Sequence, residues 1–522
     1  VWIRHQWPPN PVPPPPGARW IIMQPYEFGA WPRKYLPAFE QAEEIWTPST
    51  ASRLSFIRSG IPPEKVQVIP NGIDPQRFSP AGERLQLPTE KRFRILFVGG
   101  TLYRKGVDIL LSAYLQAFSA ADDVCLVIKE LGSQTFYAGQ TMREVLEPLR
   151  RSPGTPEICY LEQVLAEEEL PALYRACTVF VSPYRGEGFS LPTLEAMACG
   201  LPVIVTAGGA TDDFVDESVG WRLPAQRRSL GWVLGGEPMA NEAFLLEPSC
   251  EDLARLLRQL YEEPAICRIK GIRAAGRARR QWSWKRATVR LLTRLDVLCG
   301  TCLAREADER LPEVLDGTIM LASAEEALAE GRLEEARRWY EEALSRAEEM
   351  PVEYRLRASL QQALLSLGQG DQQGALQWWH RARTWATADC PDIHYVAALL
   401  EAWQGQWERS RELLHWLIAN WHQKRFQTVL ELSLERLRRD YARACLLSGW
   451  VERADELYRE LLEQGSADPE LVLEAAHAAE LLGQNERVEA LLRRLEASTS
   501  AAEAEAPLPQ AAQALPGSGL PQ

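Results

Sequence analysis

Gly186-Glu187-Gly188-Phe189-Ser190-Leu191-Pro192-Thr193-Leu194-Glu195-Ala196-Met197-Ala198-Cys199-Gly200-Leu201-Pro202 stands between two short apolar runs, Val179-Phe180-Val181 and Val203-Ile204-Val205. Runs apolar throughout, rather than alternating, suit strands covered by helices on both faces. The segment between them reads as a loop that turns into a short helix. Ser190 is placed to cap that helix, Pro192 suits its first turn and Gly200 its end. A helix start behind a strand offers free N–H groups and a positive dipole end, a seat for a diphosphate. Glu187 falls in the loop and Glu195 within the helix, leaving one carboxylate for a sugar ring and the other for a ribose.

Working upstream, Ile95-Leu96-Phe97-Val98, Val124-Cys125-Leu126-Val127-Ile128 and Ile158-Cys159-Tyr160-Leu161 repeat the strand pattern with helical segments between them. The expected fold is an α/β doubly wound, Rossmann-like parallel sheet, in which ligands bind outside the carboxyl ends of the strands. The first of those ends carries Gly99-Gly100-Thr101-Leu102-Tyr103-Arg104-Lys105-Gly106-Val107-Asp108. Its glycines let backbone approach a ligand, and Lys105 is expected to open the next helix, where an ammonium meets a leaving diphosphate.

Residues 1–75 alternate apolar runs with proline-rich breaks, and Pro8 to Gly17 reads as an extended surface loop. Trp20-Ile21-Ile22-Met23 and Glu44-Ile45-Trp46 read as buried strands, the end of an α/β domain. The chain opens on Val1-Trp2-Ile3-Arg4, a strand under way, and most of that domain is expected upstream. Beyond about Leu291 amphipathic helices take over. Gly331, Gly370, Gly405, Gly449 and Gly483 are followed five residues on by Ala336, Ala375, Ser410, Ala454 and Val488, then four further on by Tyr340, Trp379, Leu414, Tyr458 and Leu492. Glycines recurring every 34 to 44 residues predict stacked helical hairpins, an α-solenoid. From Ala497 the Ala, Glu, Pro and Gly bias predicts a disordered tail.

The net charge of −13 argues against nucleic acid as partner. No run approaches the roughly 20 apolar residues of a membrane span, and with no leader-like segment the expected location is cytoplasmic. The ten cysteines sit mostly in apolar segments, as buried free thiols do. Cys299-Gly300-Thr301-Cys302 has ligand-like spacing but no second pair, so no metal is expected. Neither a dinucleotide fingerprint, a P-loop nor an Asp-x-Asp motif occurs.

The stretch from Gly186 to Pro202 resembles the E-x7-E signature of family 4 glycosyltransferases, retaining enzymes of GT-B fold. The resemblance spans about residues 40 to 295. It implies that Glu187 contacts the donor sugar, Glu195 holds the nucleotide ribose, and Gly188, Phe189, Ser190 and Leu191 bring backbone to the diphosphate. It implies a phosphate-binding loop at Gly99 and Gly100 with Lys105 as its lysine. Gly100 stands where members commonly carry arginine, and Arg104 is the neighbouring cation. Val66 to Asp74 resembles the interdomain linker, Gly208-Gly209 a second glycine loop facing the donor, and Ser283-Trp284 the start of the crossover helix. Members often have an active-site histidine where this chain has Gln24, and His5 is the other histidine candidate. The helical hairpins resemble tetratricopeptide repeats.

The implied organisation is a GT-B N-terminal (acceptor) remnant and linker over 1–75, a nucleotide-sugar-binding domain over 76–295, tetratricopeptide-like repeats over 296–496 and the tail over 497–522. The implied activity is metal-independent, retaining transfer of a sugar from a nucleotide diphosphate donor to a glycan, lipid or protein acceptor, with Lys105 and Glu187 as catalytic residues. No cofactor is implied, and the repeats would take a protein partner. The competing reading is a non-catalytic sugar-nucleotide-binding or scaffold protein that works through its repeats.

Overall fold

A computed structural model describes residues 1–132, 141–310, 313–464 and 468–502. The chain forms two compact units, Val1–Ala322 and Ser323–Gln522.

The first unit holds two parallel sheets. Strands β1 (Trp2–Arg4), β2 (Trp20–Met23), β3 (Glu44–Thr47) and β4 (Val66–Val68) pair in that order. Strands β5 (Phe93–Gly99), β6 (Val124–Glu130), β7 (Glu157–Leu161), β8 (Val179–Ser182), β9 (Val203–Thr206) and β10 (Gly220–Leu223) form the second sheet, in the order β10-β9-β8-β5-β6-β7. Every neighbouring pair in it is parallel, and β5, β6, β8 and β9 are almost wholly buried. The apolar runs thus became the doubly wound sheet that their composition demands. Counted from β5, the order is 3-2-1-4-5-6, so the winding reverses between β5 and β8 and leaves a crevice at their carboxyl ends.

Two devices tie the sheets together. The Trp284–Cys299 helix returns from the second sheet to the first. Ile73 N–H donates to the Trp282 carbonyl at 2.9 Å, and Trp284 N–H donates back to Ile73 at 3.0 Å. A side chain on Gly72 would fall on the Trp284 backbone, so the chain closes here only with glycine. Further along this helix Leu291, Leu295 and Leu298 pack on Ile21, Trp46 and Ile69, and Arg294 donates to the Glu44 carboxylate at 2.8 and 2.9 Å.

The second device is an antiparallel hairpin, β11 (Ala225–Leu234) and β12 (Glu237–Pro248). Its Met239 and Ala243 are buried in the core of the first sheet with Trp31, Phe39 and Phe56. Ala240 N–H donates to Trp31 at 2.8 Å and Phe244 N–H to Phe28 at 3.0 Å, while Leu246 N–H donates to Arg185 at 2.8 Å.

The first unit also includes more of the helical segment than the expected switch at 295/296. Arg279, almost fully buried, donates to the Asp316 carboxylate, and Ala322 packs on Gly276. These contacts hold residues 313–322 against the α/β body.

The second unit is helical. The turns at Gly331, Gly370, Gly405, Gly449 and Gly483 have φ between 71° and 84°, a left-handed conformation that glycine adopts without steric cost. Each ends one helix of a hairpin, as at Pro391–Trp403 followed by Trp407–Ala419. Ala336, Ala375, Ser410 and Ala454 are buried, as are Tyr340, Leu414 and Tyr458, but Leu492 is exposed. The expected tail begins inside a helix, Asn485–Ala502, and residues 503–522 lie outside the described residues.

The core of this unit contains a buried ion pair. Arg357 donates to both Glu325 oxygens at 2.7 and 2.6 Å and to the Val429 carbonyl at 2.7 Å, with Tyr340 donating to Glu325 at 2.8 Å. Removing one partner strands a charge out of water. Arg357→Met should lower the stability of this unit by about 3–5 kcal/mol, read by calorimetry, and pairing it with Glu325→Met should recover most of the loss. A loss below about 1 kcal/mol would show that the pair is not a structural requirement.

Candidate functional site

The carboxyl end of β5 runs into Gly99-Gly100 and a 3-10 turn at Tyr103–Lys105, and only then into the Val107–Ala117 helix. Lys105 therefore precedes the helix rather than opening it. Gly106 between them has φ 71°, and a side chain there would collide with the Pro183 carbonyl. This contact presses the turn against the loop that leaves β8.

That loop carries Glu187. Lys105 Nζ lies 2.7 Å from both Glu187 oxygens. Arg104 donates to Glu187 Oε2 at 3.1 Å and to the Gly186 carbonyl at 3.2 Å, and lies 3.6 Å from the Glu27 carboxylate. Burial pushes the Glu187 carboxyl up, but Lys105 and Arg104 outweigh it and hold the pKa below the usual value. Burial raises Glu27, with the Arg104 charge opposing. The crevice thus gathers two cations and two carboxylates.

Gly188 packs on Pro25, with no space for a side chain (2.6 Å to Pro25 Cβ). Its carbonyl accepts from Ser49 Oγ at 2.7 Å and Ser52 Oγ at 3.3 Å. Phe189 is core, against Phe214 and Trp282. Ser190 stands at the start of the Leu191–Ala198 helix as expected, but it does not cap with its side chain: its φ is 72°, and its hydroxyl meets that of Thr193 at 2.7 Å. A left-handed serine costs on the order of 1–3 kcal/mol. It leaves the Ser190 and Leu191 N–H groups without an acceptor among the described residues, as an anion seat requires.

Glu195 makes none of the Glu187 contacts. Its Oε2 accepts from Tyr174 Oη at 2.9 Å. Burial pushes its carboxyl up to about 7, against the lowering effects of Tyr174 and Arg77.

Gln24 is buried and donates to the Gln6 carbonyl, while His5 is exposed beyond the end of β1. Gly209 follows β9, tight against Tyr184. Sequence reasoning did not single out Glu27, Tyr174 or Arg185. Arg185 shares the loop with Glu187, and its charge in a Gly-rich turn was the available signal. Nothing in the local pattern marks Tyr174 as a partner of Glu195.

The Glu195 carboxyl titrates near 4.5 in an unfolded chain and near 7 here. Below about 4.5 both states hold the proton, and between there and about 7 only the folded state does, so stability is lost as pH rises through that window. Between pH 5 and pH 8 the wild type should lose about 2.5 kcal/mol more than Glu195→Gln, measured by urea unfolding. Equal changes would show that the carboxyl titrates normally.

Residues 92–230 match the family model "Glycosyl transferases group 1". The chain is 32% identical over 204 residues to D-inositol 3-phosphate glycosyltransferase 1 of Catenulispora acidiphila, covering 38% of this chain and 46% of that protein. It is 28% identical over 248 residues to MMP alpha-(1->4)-mannosyltransferase of Mycolicibacterium hassiacum, covering 47% and 52%. The chain thus spans about half the length of these curated relatives. Among solved structures, sucrose-phosphate synthase from Thermosynechococcus elongatus aligns over 54% of this chain and 68% of its own, at 21% identity and a TM-score of 0.43. Among the described residues no helix is long and apolar enough to cross a membrane. The segment that matches the group 1 glycosyltransferase model, residues 92–230, is the one that forms the parallel sheet and its switch-point crevice.

Proposed function

We propose that this chain binds a nucleoside diphosphate sugar at the carboxyl ends of β5 and β8 and serves its transfer to an acceptor, with retention as in family 4. The observation that carries the reading is the joint hold of Lys105 and Arg104 on Glu187 at the switch point. Two cations gathered in a crevice, together with helix-start N–H groups that have no acceptor among the described residues, form the electrostatic surface that a leaving diphosphate needs.

In the free protein Glu187 occupies these cations. An incoming diphosphate, with more negative charge, competes for Lys105 and Arg104 and leaves the Glu187 carboxylate to accept hydroxyl hydrogen bonds from the sugar. As the glycosidic C–O bond breaks, charge grows on the leaving phosphate oxygen. Lys105, Arg104 and the N–H groups of Ser190 and Leu191 stabilise it, a role for which no metal is invoked. Glu195, freed from Tyr174, would hold the ribose. Gly99 and Gly100 would bring backbone against the phosphates. Gln24, which donates to the Gln6 carbonyl, His5 and Gly209 are the further candidates beside the sugar. The helical unit, read as tetratricopeptide-like repeats, would bind a protein partner.

The scaffold reading draws on one observation, that both cations are already satisfied internally. Calorimetric titration with UDP, GDP, ADP and their sugar conjugates separates the two. One nucleotide should bind. Lys105→Ala should weaken it about tenfold or more, in keeping with a charge-assisted contact. Glu195→Ala should weaken free nucleotide and nucleotide sugar alike, and Glu187→Ala should weaken discrimination among sugars. Absence of binding by all three nucleotides and their conjugates would reject the donor site in favour of a scaffold.

A further inference from the structure

The loop that presents Glu187 is held by a residue that makes no contact with Glu187 itself. Arg185 is 4% exposed. Its guanidinium donates to both Asp108 oxygens at 2.7 Å each and to both Glu247 oxygens at 2.8 Å each. It also donates to the Tyr103 carbonyl at 2.7 Å and stacks 3.8 Å from the Tyr103 ring centroid. The backbone of the same residue is tied at both ends, with N–H donating to the Arg104 carbonyl at 2.7 Å and C=O accepting from Leu246 N–H at 2.8 Å.

Three segments meet on this one side chain: the 103–108 turn that carries Arg104 and Lys105, the 185–188 loop that carries Glu187, and strand β12. A guanidinium has a planar fork of donors that can serve two carboxylates at once, which an ammonium cannot reproduce. The arrangement fixes the distance between the two loops independently of the ion contacts across them. Without it the Lys105–Glu187 contacts would have to draw the loops together on their own, at the expense of desolvating both charges.

We infer that Arg185 is a positioning residue, clamped between Asp108 and Glu247, that sets Glu187 against Lys105 and Arg104 and gives the β11–β12 hairpin control over the geometry of the site. The inference rests on the donor-site reading above for its functional meaning, and on the named contacts alone for its geometry. Glu247 is the hairpin's part in the clamp. Leu245, two residues before it and so on the same face of β12, closes on Gly186, where a side chain would come within 2.8 Å of its Cδ2. The hairpin that inserts Met239 and Ala243 into the core of the first sheet therefore also bears directly on the loop of the second.

The test is a double-mutant cycle in the full chain, with Arg185→Met and Glu187→Gln, read as the unfolding equilibrium of the first unit. If Arg185 holds Glu187 on its cations, Glu187→Gln should lower the folding equilibrium constant about tenfold in the wild type and less than about threefold once Arg185 is Met. Glu247→Gln, which keeps the Asp108 pair and folds more readily, should give an intermediate coupling and decides the matter if Arg185→Met does not fold. Effects that multiply independently would overturn the inference, since an arginine stabilising only its own surroundings predicts that outcome. In the same variants UDP, GDP and ADP are titrated, and the nucleotide that the wild type binds should lose about tenfold in affinity in Arg185→Met. Coupling without nucleotide binding by the wild type would uphold the clamp and reject the donor reading. Binding without coupling would do the reverse.

Discussion

Glu187 keeps a negative charge with its side chain only 9% exposed, and such a charge persists out of water only where opposite charge and hydrogen bonds replace the solvent. Lys105 and Arg104 supply both. To do so they must come from the end of β5 while Glu187 comes from the end of β8, two strands adjacent in the sheet, with Lys105 and Glu187 82 residues apart in sequence. Much of the local architecture follows from that demand. Gly106 is left-handed and pressed on Pro183, Gly186 accepts from Arg104, and Gly188 seats on Pro25. A side chain at any of these glycines would hold the loops apart.

The two sheets of the first unit meet through more than the linker at Ile73. The Trp284–Cys299 helix carries three leucines and Arg294 back to the first sheet. The β11–β12 hairpin inserts Met239 and Ala243 into the aromatic core around Trp31, where Tyr26 stacks at 3.9 Å and Phe56 lies at 4.8 Å. Aromatic packing of this kind is both large in area and specific in geometry. Ser49 and Ser52, at the start of the Thr50–Arg58 helix, reach the Gly188 carbonyl in the loop that carries Glu187.

The sheet was legible because its strands are apolar throughout: the runs at Ile95, Val124, Ile158, Val179 and Val203 are β5 to β9. Their order in the sheet, β10-β9-β8-β5-β6-β7, was not legible there, because it depends on crossovers between segments distant in sequence. The left-handed glycines of the helical unit were legible for the same kind of reason, since a backbone conformation open chiefly to glycine leaves a mark on the sequence. The hairpin was missed, although Gly235-Gly236 between Trp232-Val233-Leu234 and a second extended run is a turn signal. Strand β10 was missed because Gly220-Trp221-Arg222-Leu223 mixes polar and apolar residues at a sheet edge. Lys105, Arg104 and Glu187 were readable as a set through the family resemblance. Glu27, Tyr174 and Arg185 were not, because each takes its meaning from a partner distant in sequence, and local pattern does not report such pairings. The helix expected to open at Lys105 starts later because Gly106 turns left-handed, at a position where Pro183 from another loop leaves no space for a side chain.

The account stands on Lys105 and Arg104 exchanging Glu187 for the phosphates of a donor. The most direct measurement is a crystal structure of the chain with the nucleoside diphosphate that it binds. The account predicts the diphosphate at the carboxyl ends of β5 and β8, within hydrogen-bond distance of Lys105 Nζ, with the Ser190 and Leu191 N–H groups directed at it and the Glu187 carboxylate released from both cations. A nucleotide bound elsewhere, or one bound while both Lys105–Glu187 contacts of 2.7 Å remain in place, would contradict it.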